Sequence, residues 1–348
     1  MRPDETGARD ARPPQPRRPT APDGLVVVDK PQGWTSHDVV ARLRRLASSR
    51  KVGHAGTLDP MATGVLVVGI GRATRLLTYV VGADKEYTAT IRLGMSTTTD
   101  DAEGEPLTTG DVSGVTRDDV EAGVGALTGT IRQVPSTVSA IKVDGRRAYA
   151  LARAGEQVEL AAREVTVSRF DVHDVRYSSV PQVPAAASAP RLPDGARSAA
   201  SDVTVLDVDV TVVCSSGTYV RALARDLGTA LGVGGHLTAL RRTRVGGYGI
   251  AQARTLDDLE ATPFDRPLDV LPLGEAARAA FPVRELTADE ARALSYGQSI
   301  EASGKATAAG SRDAMAGVTA ALAPDGRLVA LVEARGGAVR PILVFSPA

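Results

Sequence analysis

The stretch Gly53–Gly64, which reads GHAGTLDPMATG, constrains the fold more than any other part of the sequence. Its three glycines and one proline are poorly tolerated in a helix or in a central strand, so they predict a shaped loop. Apolar segments flank this loop, and the one that follows, Gly64 to Ile70, is predicted to be a buried strand. Asp59 stands immediately before Pro60, which favours an extended backbone at the aspartate. The sequence therefore predicts a carboxylate held out from a rigidly anchored loop.

A second segment offers a partner for this carboxylate. Residues Cys214–Arg221 run from the end of a predicted strand into a helix predicted over Thr218–Leu231, which places Arg221 in the first helical turn. A cation opposes the helix dipole there by about 0.3–1 kcal/mol, and a nearby anion would remove that penalty. Two interpretations stay open. One is an ion pair between Asp59 and Arg221 that keeps the acid ionised and oriented; the other is an ordinary Asp-Pro turn with an exposed arginine.

Composition limits the chemistry open to the chain. Hydrophobic residues make up 43% of the 348 residues, but no apolar run approaches the roughly 20 residues needed to span a bilayer. The N-terminus has no apolar block of the secretory type, so a cytoplasmic protein is expected. Cys214 is the only cysteine and the four histidines are scattered, which predicts neither a disulfide nor a metal site.

Charge is balanced overall but unevenly distributed. The formal net charge is zero, and acidic residues gather at 100–105 and 257–260. Three basic stretches could bind phosphate, although solvated helix faces remain the simpler interpretation of any single stretch. These stretches are Arg42, Arg44, Arg45, Arg50 and Lys51; Arg146, Arg147 and Arg153; and Arg241, Arg242 and Arg244.

The pattern of predicted elements indicates an α+β chain with a large domain and a small one. Residues 1–22 are rich in Arg, Pro and Asp and are predicted to be a disordered tail. The main domain is assigned to residues 23–272, and the Pro-, Ala- and Ser-rich stretch 178–201 within it is predicted to be a disordered insertion. Residues 276–348 are predicted to form a β-rich domain. Ser36 is predicted to cap the first helix of the main domain.

Five blocks, in the same order along the chain, resemble the TruB family of tRNA pseudouridine synthases. The loop at residues 53–64 resembles the catalytic motif of that family, and the resemblance runs from about residue 24 to residue 250. Val138 stands where the family usually has an aromatic residue, and beyond Thr255 the agreement fades to architecture. The other four blocks are Asp29-Lys30-Pro31 with Gly33, Trp34 and Ser36; Lys85-Glu86-Tyr87; Ser139-Ala140-Ile141-Lys142 with Gly145 and Tyr149; and Gly217-Thr218-Tyr219-Val220-Arg221.

The resemblance implies a role for individual residues. Asp59 would be the catalytic aspartate, Arg221 its ion-pair partner, and Tyr87 the residue that stacks on the target base and takes part in proton transfer at its C5. By position alone, Tyr87 and Tyr219 would more often be core residues and His54 an ordinary loop residue, so these assignments depend on the resemblance. The implied substrate-binding residues are His54, Tyr219, Leu240, Lys30 and Lys142, with Lys30 supporting the site.

The resemblance also implies a fold and a substrate. The fold would be that of the pseudouridine synthases, with a central mixed, largely antiparallel sheet flanked by helices and a small C-terminal β-rich domain of the PUA-like type. The reaction would convert the T-loop uridine at tRNA position 55 into pseudouridine, with tRNA bound through its T-arm. No cofactor, metal, membrane or protein partner is implied, and a monomer is expected.

Three other functions remain open on the sequence. The first is a non-catalytic RNA-binding or RNA-folding protein in which the glycine-rich loop is only structural. The second is a guide-RNA-dependent pseudouridine synthase, whose catalytic motif is similar. A glycosidase is the most distant, because no second carboxylate lies at a matching motif position.

Overall fold

The computed structural model describes residues 18–136, 160–181, 202–302 and 317–346, together with the backbone alone of residues 142–143 and 146–147. In chain order, the described strands are β1 (Gly24–Lys30), β2 (Val52–Ala55), β3 (Thr63–Ile70), β4 (Lys85–Leu93), β5 (Met95–Thr97), β6 (Pro106–Thr109), β7 (Gly129–Gln133), β8 (Lys142–Val143), β9 (Arg146–Arg147), β10 (Arg163–Pro181), β11 (Asp202–Cys214), β12 (Gly235–Val245), β13 (Tyr248–Gly249), β14 (Leu271–Pro272), β15 (Val283–Glu285), β16 (Ile300–Glu301), β17 (Val318–Leu322), β18 (Leu328–Arg335) and β19 (Ala338–Val344). The described α-helices are α1 (Ser36–Leu46), α2 (Leu77–Val81), α3 (Arg117–Ala126), α4 (Val220–Ala230), α5 (Leu256–Glu260), α6 (Leu273–Ala280) and α7 (Ala288–Ser295).

Ten of these strands form one sheet, which carries the main domain. Their order is β14-β1-β3-β12-β4-β11-β10-β7, with β2 paired to β3 and β13 paired to β12. Within the described part of this sheet β12 and β3 run parallel, and the other pairs are antiparallel. The expected central mixed, largely antiparallel sheet flanked by helices is confirmed.

Side-chain alternation explains how the central strands are packed. Along β4 the odd-numbered residues from 85 to 93 are buried and the even-numbered ones are more exposed, which is the two-residue period of a sheet with one covered face. Both faces of β1 are covered instead. Val26 and Val28 pack in a cluster with residues of α1, whereas Leu25 and Val27 pack against the C-terminal domain. This burial on both faces accounts for the uninterrupted apolar run in β1.

The C-terminal domain is a five-stranded sheet with α7 packed against it. The strand order is β15-β17-β18-β19-β16, and Leu294 of α7 is fully buried in the core between helix and sheet. The expectation of a small β-rich C-terminal domain is therefore confirmed.

The two sheets share a core, which fixes their relative position. Phe281 and Leu322 of the C-terminal region pack in one cluster with Leu25 and Val27 of β1. The Arg72 guanidinium also donates a hydrogen bond of 2.8 Å to the carbonyl of Phe345 across the junction. Because hydrophobic packing and directed hydrogen bonds act together here, the domains form one unit rather than two tethered ones.

Two predicted boundaries need correction. The insertion predicted from residue 178 begins later, because Ser178 to Pro181 continue β10 and pair with β11. The tail predicted through residue 22 ends earlier, because Arg18 donates a 2.7 Å hydrogen bond to Thr262 and Ala21 donates one of 3.0 Å to Ala47. The remainders of both segments, residues 182–201 and 1–17, lie outside the described residues.

The described helices are short. Within the described ranges, none combines the length and the apolar character that crossing a membrane would require.

Candidate active site

A cavity of about 250 Å³ opens where the predicted loop, β4, β12 and the start of α4 meet. It lies at β4 and β12, two central strands of the main sheet, next to the core that α3 and α4 build with β4 and β11. Charged side chains of both signs reach it. The lining residues are Gly56 to Asp59, Lys85, Tyr87, Ser216 to Arg221, Leu240 and Arg242.

The loop that carries Asp59 is fixed by backbone geometry at its ends. The sequence predicted a loop over the whole stretch 53–64, but residues 53–55 belong to β2 and residues 63–64 to β3. At Gly64 the φ angle is +98°, and a Cβ atom would lie 2.2 Å from the Arg242 carbonyl oxygen. Glycine is therefore required there. The Asp59 carbonyl accepts a hydrogen bond from Ala62 at 3.1 Å, which closes a tight turn around the acid.

Ser36 ties helix α1 to this turn. Its buried hydroxyl donates to the Leu58 carbonyl at 3.2 Å and accepts from the Leu58 amide at 2.9 Å. The sequence prediction that Ser36 caps the helix is wrong. Thr35 is the N-cap, and Asp38 completes the capping box. Because the neighbouring threonine takes over capping, the serine is free to hold the residue before Asp59.

Ser36→Ala is expected to lower the free energy of unfolding by about 1–3 kcal/mol, because a buried amide and a buried carbonyl at Leu58 both lose their partner. Urea denaturation measures the loss, and hydrogen exchange at the Leu58 amide should accelerate. Ser295→Ala is the control, since that half-buried hydroxyl donates a solvent-exposed hydrogen bond to the Arg292 carbonyl at the end of α7, and its effect should stay within about 0.5 kcal/mol. Equal stability and unchanged exchange in the two variants would contradict the anchoring role.

Lys30 lies beneath the loop and is fully buried. Its ammonium donates to the backbone carbonyls of Pro31, Trp34 and Pro60 at 3.0, 2.7 and 3.2 Å. Burial lowers the pKa of Lys30 to about 8, and the charge of Asp59 acts in the opposite direction. These contacts join the ends of the segment that precedes α1 to the turn at Pro60, and the support of the site by Lys30 stays a prediction. Its assignment as a substrate-binding residue also stays a prediction; in this structure the ammonium contacts these carbonyls and the side chain is not exposed.

Asp59 and Arg221 form the ion pair that the sequence proposed. Arg221 Nε lies 3.0 Å from Asp59 Oδ2; the Arg221 side chain is 3% exposed and the Asp59 side chain 38%. The acid therefore reaches the cavity while the buried cation fixes it from behind. A guanidinium suits this role because it stays charged when buried and its donors are rigidly arranged.

A second carboxylate shares the same guanidinium. Arg221 Nη1 lies 3.4 Å from Asp101 Oδ2 and donates to the Thr99 carbonyl at 2.8 Å. Asp101 is itself buried, and its other oxygen accepts from the Thr99 hydroxyl at 2.5 Å and from the Glu103 amide at 3.0 Å. Sequence reasoning missed Asp101, which it had grouped with an acidic surface cluster. The Arg221 side chain is thus held between one buried acid and one that reaches the cavity.

Gln133 is a further residue that sequence reasoning missed. It accepts a hydrogen bond from the Tyr219 amide at 2.8 Å and donates to the Tyr219 carbonyl at 3.1 Å. Tyr219 is the N-cap of α4, and no side-chain oxygen of its own caps the helix. The buried amide of Gln133 therefore fixes the helix start from which Arg221 projects.

The structure brings three further predicted residues to the cavity: Tyr87, Tyr219 and Leu240 line it together with Asp59 and Arg221. Burial raises the pKa of Tyr87, and the nearby Arg242 acts in the opposite direction. The phenol is therefore neutral at pH 7. An apolar wall with two phenol rings suits a flat aromatic ligand.

The remaining predicted residues lie apart from the cavity lining. His54 is on β2, and its ring meets that of His37 edge-on at 5.6 Å between centroids. Burial, and then the charge of His37, lower the pKa of His54, so this ring is neutral at pH 7. Lys142 starts the short strand β8, but its side chain lies outside the described residues, as do Val138 and Tyr149. Their predicted roles stay predictions.

The three arginines of the third basic stretch make contacts within the protein, and phosphate binding by this stretch stays a prediction. Arg241 pairs with Asp29 at 2.7 Å and Arg244 with Asp84 at 2.8 Å, while Arg242 is 1% exposed. The side chains of the second stretch lie outside the described residues. In the first stretch Arg42 pairs with Glu260. The exposed members of that stretch are Arg44, Arg45, Arg50 and Lys51, and of these Arg44 donates a hydrogen bond of 3.2 Å to the Val52 carbonyl.

In the described part of the chain, no group of three or more His, Cys, Asp or Glu side chains is arranged to hold a metal ion.

Comparisons with known proteins place these features in a family. Residues 44–220 match the model of the TruB family pseudouridylate synthase N-terminal domain, and residues 221–269 and 281–346 match two C-terminal models of tRNA pseudouridine synthases. The tRNA pseudouridine synthase B of Arthrobacter sp. (strain FB24) is 59% identical over 326 residues, covering 93% of this chain and 97% of the relative. The protein of that name in Thermobifida fusca (strain YX) is 56% identical, covering 93% and 99%.

The fold of this chain is also similar to the folds of solved structures. An H/ACA RNP bound to a substrate RNA containing 2′-deoxyuridine contains a chain 25% identical to this one, with a TM-score of 0.63 over 93% of this chain and 85% of that chain. A Cbf5-Nop10-Gar1 complex gives the same values.

The fold and the matched domains define the chain as a pseudouridine synthase, an isomerase. Within that class, the chain belongs to the TruB family. The resemblance noted in the sequence is thereby confirmed, as are the fold class and the enzyme class that it implied.

Proposed function

We propose that this protein converts the T-loop uridine at tRNA position 55 into pseudouridine, with Asp59 as the catalytic carboxylate. The observation that carries the proposal is the ion pair of 3.0 Å between Asp59 and the buried Arg221 at the wall of a cavity with tyrosine side chains. The names of the most similar relatives support tRNA as the substrate. The cytoplasm, where a tRNA-modifying enzyme meets its substrate, is the proposed location.

The chemistry needs few groups. The bond between ribose C1′ and uracil N1 breaks, the ring turns, and C5 joins C1′; C5 loses a proton and N1 gains one. Because the product is an isomer of the substrate, no external oxidant or reductant is required. An ionised carboxylate can assist by attack on the sugar, by attack on the ring or by removing a ribose proton. Tyr87 faces the same cavity and is proposed for the proton transfer at C5.

Base flipping is part of the proposal. Asp59 is only partly exposed, and the cavity behind it is recessed, so a base stacked within folded RNA cannot meet the carboxylate. Extruding a nucleotide costs a few kcal/mol, which stacking in the pocket can offset. Tyr87, Tyr219 and Leu240 supply the apolar surface for the extruded uracil. The exposed cations Arg45, Arg50 and Lys51 are proposed to contact backbone phosphates.

The protein is proposed to act without a guide RNA or a protein partner. One solved neighbour belongs to an RNP and another to a complex with Nop10 and Gar1, but the relatives with more than half of their residues identical are named as tRNA enzymes.

The test is to incubate the purified chain alone with a tRNA transcript that carries tritium at C5 of its uridines. Because C5 exchanges its hydrogen for the bond to C1′, each turnover should release one tritium to water. We expect about one release per transcript, and none when cytidine replaces the uridine at position 55. Absence of product without added partners would favour a guide-dependent enzyme. RNA binding without any product under all conditions would favour the non-catalytic alternative.

A further inference from the structure

Two cations form the floor of the active-site cavity, behind Tyr87. Arg242 is 1% exposed, and it donates from Nε to the Val65 carbonyl at 2.7 Å and from Nη2 to the Gly56 carbonyl at 3.1 Å. Lys85 is 5% exposed, and its ammonium donates to two backbone carbonyls at the end of α2, at 2.6 and 2.7 Å. Both side chains line the cavity.

Neither cation forms an ion pair with a carboxylate of the described residues. In this they differ from the other arginines around the site: Arg221 pairs with Asp59 and Asp101, and the strand neighbours of Arg242 pair with acids of their own. Neutral carbonyls accept from the N–H groups of Arg242 and Lys85, so neither positive charge is balanced by a carboxylate in direct contact.

Uncompensated buried charge is costly, because both ions give up hydration without gaining a counter-ion. Burial, and then the charge of Arg242, lower the pKa of Lys85 to about 8, whereas the charge of Asp84 acts in the opposite direction. The ammonium form still predominates at pH 7. The fold thus maintains a positive potential at the cavity floor, a pattern that is concentrated at functional sites.

The proposed reaction develops the opposite charge in the same place. If the carboxylate acts at the sugar, the electron pair of the C1′–N1 bond passes to the departing uracil, which becomes an anion. If the carboxylate adds to the ring, the electrons move onto the ring oxygens and C5. On either route the negative charge appears on the base, and it disappears when C5 has bonded to C1′ and N1 has taken up a proton.

We propose that Arg242 and Lys85 form a cationic floor that stabilises the negative charge on the uracil ring while the C1′–N1 bond is broken. This inference rests on the proposed function. Fixed charges in a site closed to water act strongly on a transition state, because they need no reorganisation when the charge develops. The two cations therefore complement Asp59 and Arg221, which act on the other side of the breaking bond.

The experiment measures single-turnover rate constants with excess enzyme, together with the Kd for the tRNA. Arg242→Met should lower the rate constant by about 100-fold, with Kd changed by less than about threefold. Arg242→Lys keeps the charge, so its rate constant should be about tenfold higher than that of Arg242→Met. Arg92→Met is the matched control, because Arg92 is on the same β4 strand as Lys85 but pairs with Asp207 away from the cavity, and its rate constant should match the wild type.

A second substrate separates charge stabilisation from simple positioning of the loop. In an RNA with 5-fluorouridine at the target position, fluorine draws electrons from the ring, so that the base carries negative charge more readily. The loss caused by Arg242→Met, measured as scission of the C1′–N1 bond, should then be about tenfold smaller than with uridine. If the wild type does not process this RNA, the recovery of activity by Arg242→Lys decides between charge stabilisation and positioning of the loop.

Equal losses with both bases, failure of Arg242→Lys to recover activity, or a loss confined to Kd would overturn the proposal. If Arg242→Met does not fold, Lys85→Met is compared in the same way, with an expected loss of about tenfold. Failure of the proposed function has a different signature, since the wild type itself would then form no pseudouridine.

Discussion

Asp59→Asn is expected to abolish pseudouridine formation, lowering the single-turnover rate constant by about 10⁴-fold or more, as removal of a nucleophile usually does. Asparagine has nearly the same shape, so the turn and its contact with Arg221 should persist. What disappears is the negative charge and the nucleophilic oxygen. The buried Arg221 keeps a counter-ion in Asp101, so the variant should fold with little loss of stability.

The same reasoning predicts that Asp59→Asn binds tRNA as tightly as the wild type, because the contacts proposed for affinity lie on exposed cations and on the apolar cavity wall. Filter binding measures Kd, and nucleoside analysis of the tRNA measures product. Asp118→Asn, at an exposed acid on α3, is the matched control and should behave as the wild type. Product formation by Asp59→Asn within tenfold of the wild-type rate would remove the catalytic assignment.

The fold was largely predictable because its elements follow simple periods. The apolar run Gly64 to Ile70 predicted a strand at the observed position of β3. The alternation along β4 and the apolar run of β1 are patterns of the same kind, since burial on one face or on both leaves them in the sequence. The order of the strands in the sheet was not predictable in this way. The parallel pairing of β12 with β3, on which the cavity depends, joins segments far apart in the chain.

Site residues were predictable where a short stretch of sequence marks them by itself. Asp59 stands out because glycines and a proline shape its loop, and Arg221 stands out because a cation is unfavourable at a helix start. Asp101 carries no such mark, because it lies among other acids and becomes a site residue only when tertiary packing brings Thr99 and Arg221 together. Its role could not be inferred from local sequence.

Arg242 is an intermediate case, because the sequence did contain a pattern that indicates its burial. It follows Leu240 by two residues on β12, so the two-residue period places it on the inward face with that leucine. The burial of Arg242 was missed because three arginines within four residues were treated as one basic surface. In the folded chain their neighbours differ, and only Arg242 is fully buried.

Arg221→Met is expected to lower the free energy of unfolding by about 3–5 kcal/mol and to abolish activity, because removing one partner of a buried ionic network leaves an uncompensated charge. The charge left behind is chiefly that of Asp101, which is 4% exposed, whereas Asp59 can turn towards solvent. Methionine is apolar and flexible enough to occupy the space of the arginine stem. Urea denaturation measures the stability, and product formation measures the activity.

A second substitution separates the two functions of Arg221. In the double variant Arg221→Met with Asp101→Asn, the buried negative charge is gone, so we expect at least half of the lost stability to return. Activity should not return, because no cation then holds Asp59 in the cavity. If the double variant is no more stable than Arg221→Met alone, Asp101 is not the main source of the cost. If it regains activity, Asp59 does not need its guanidinium partner, and the ion pair cannot be what makes this carboxylate catalytic.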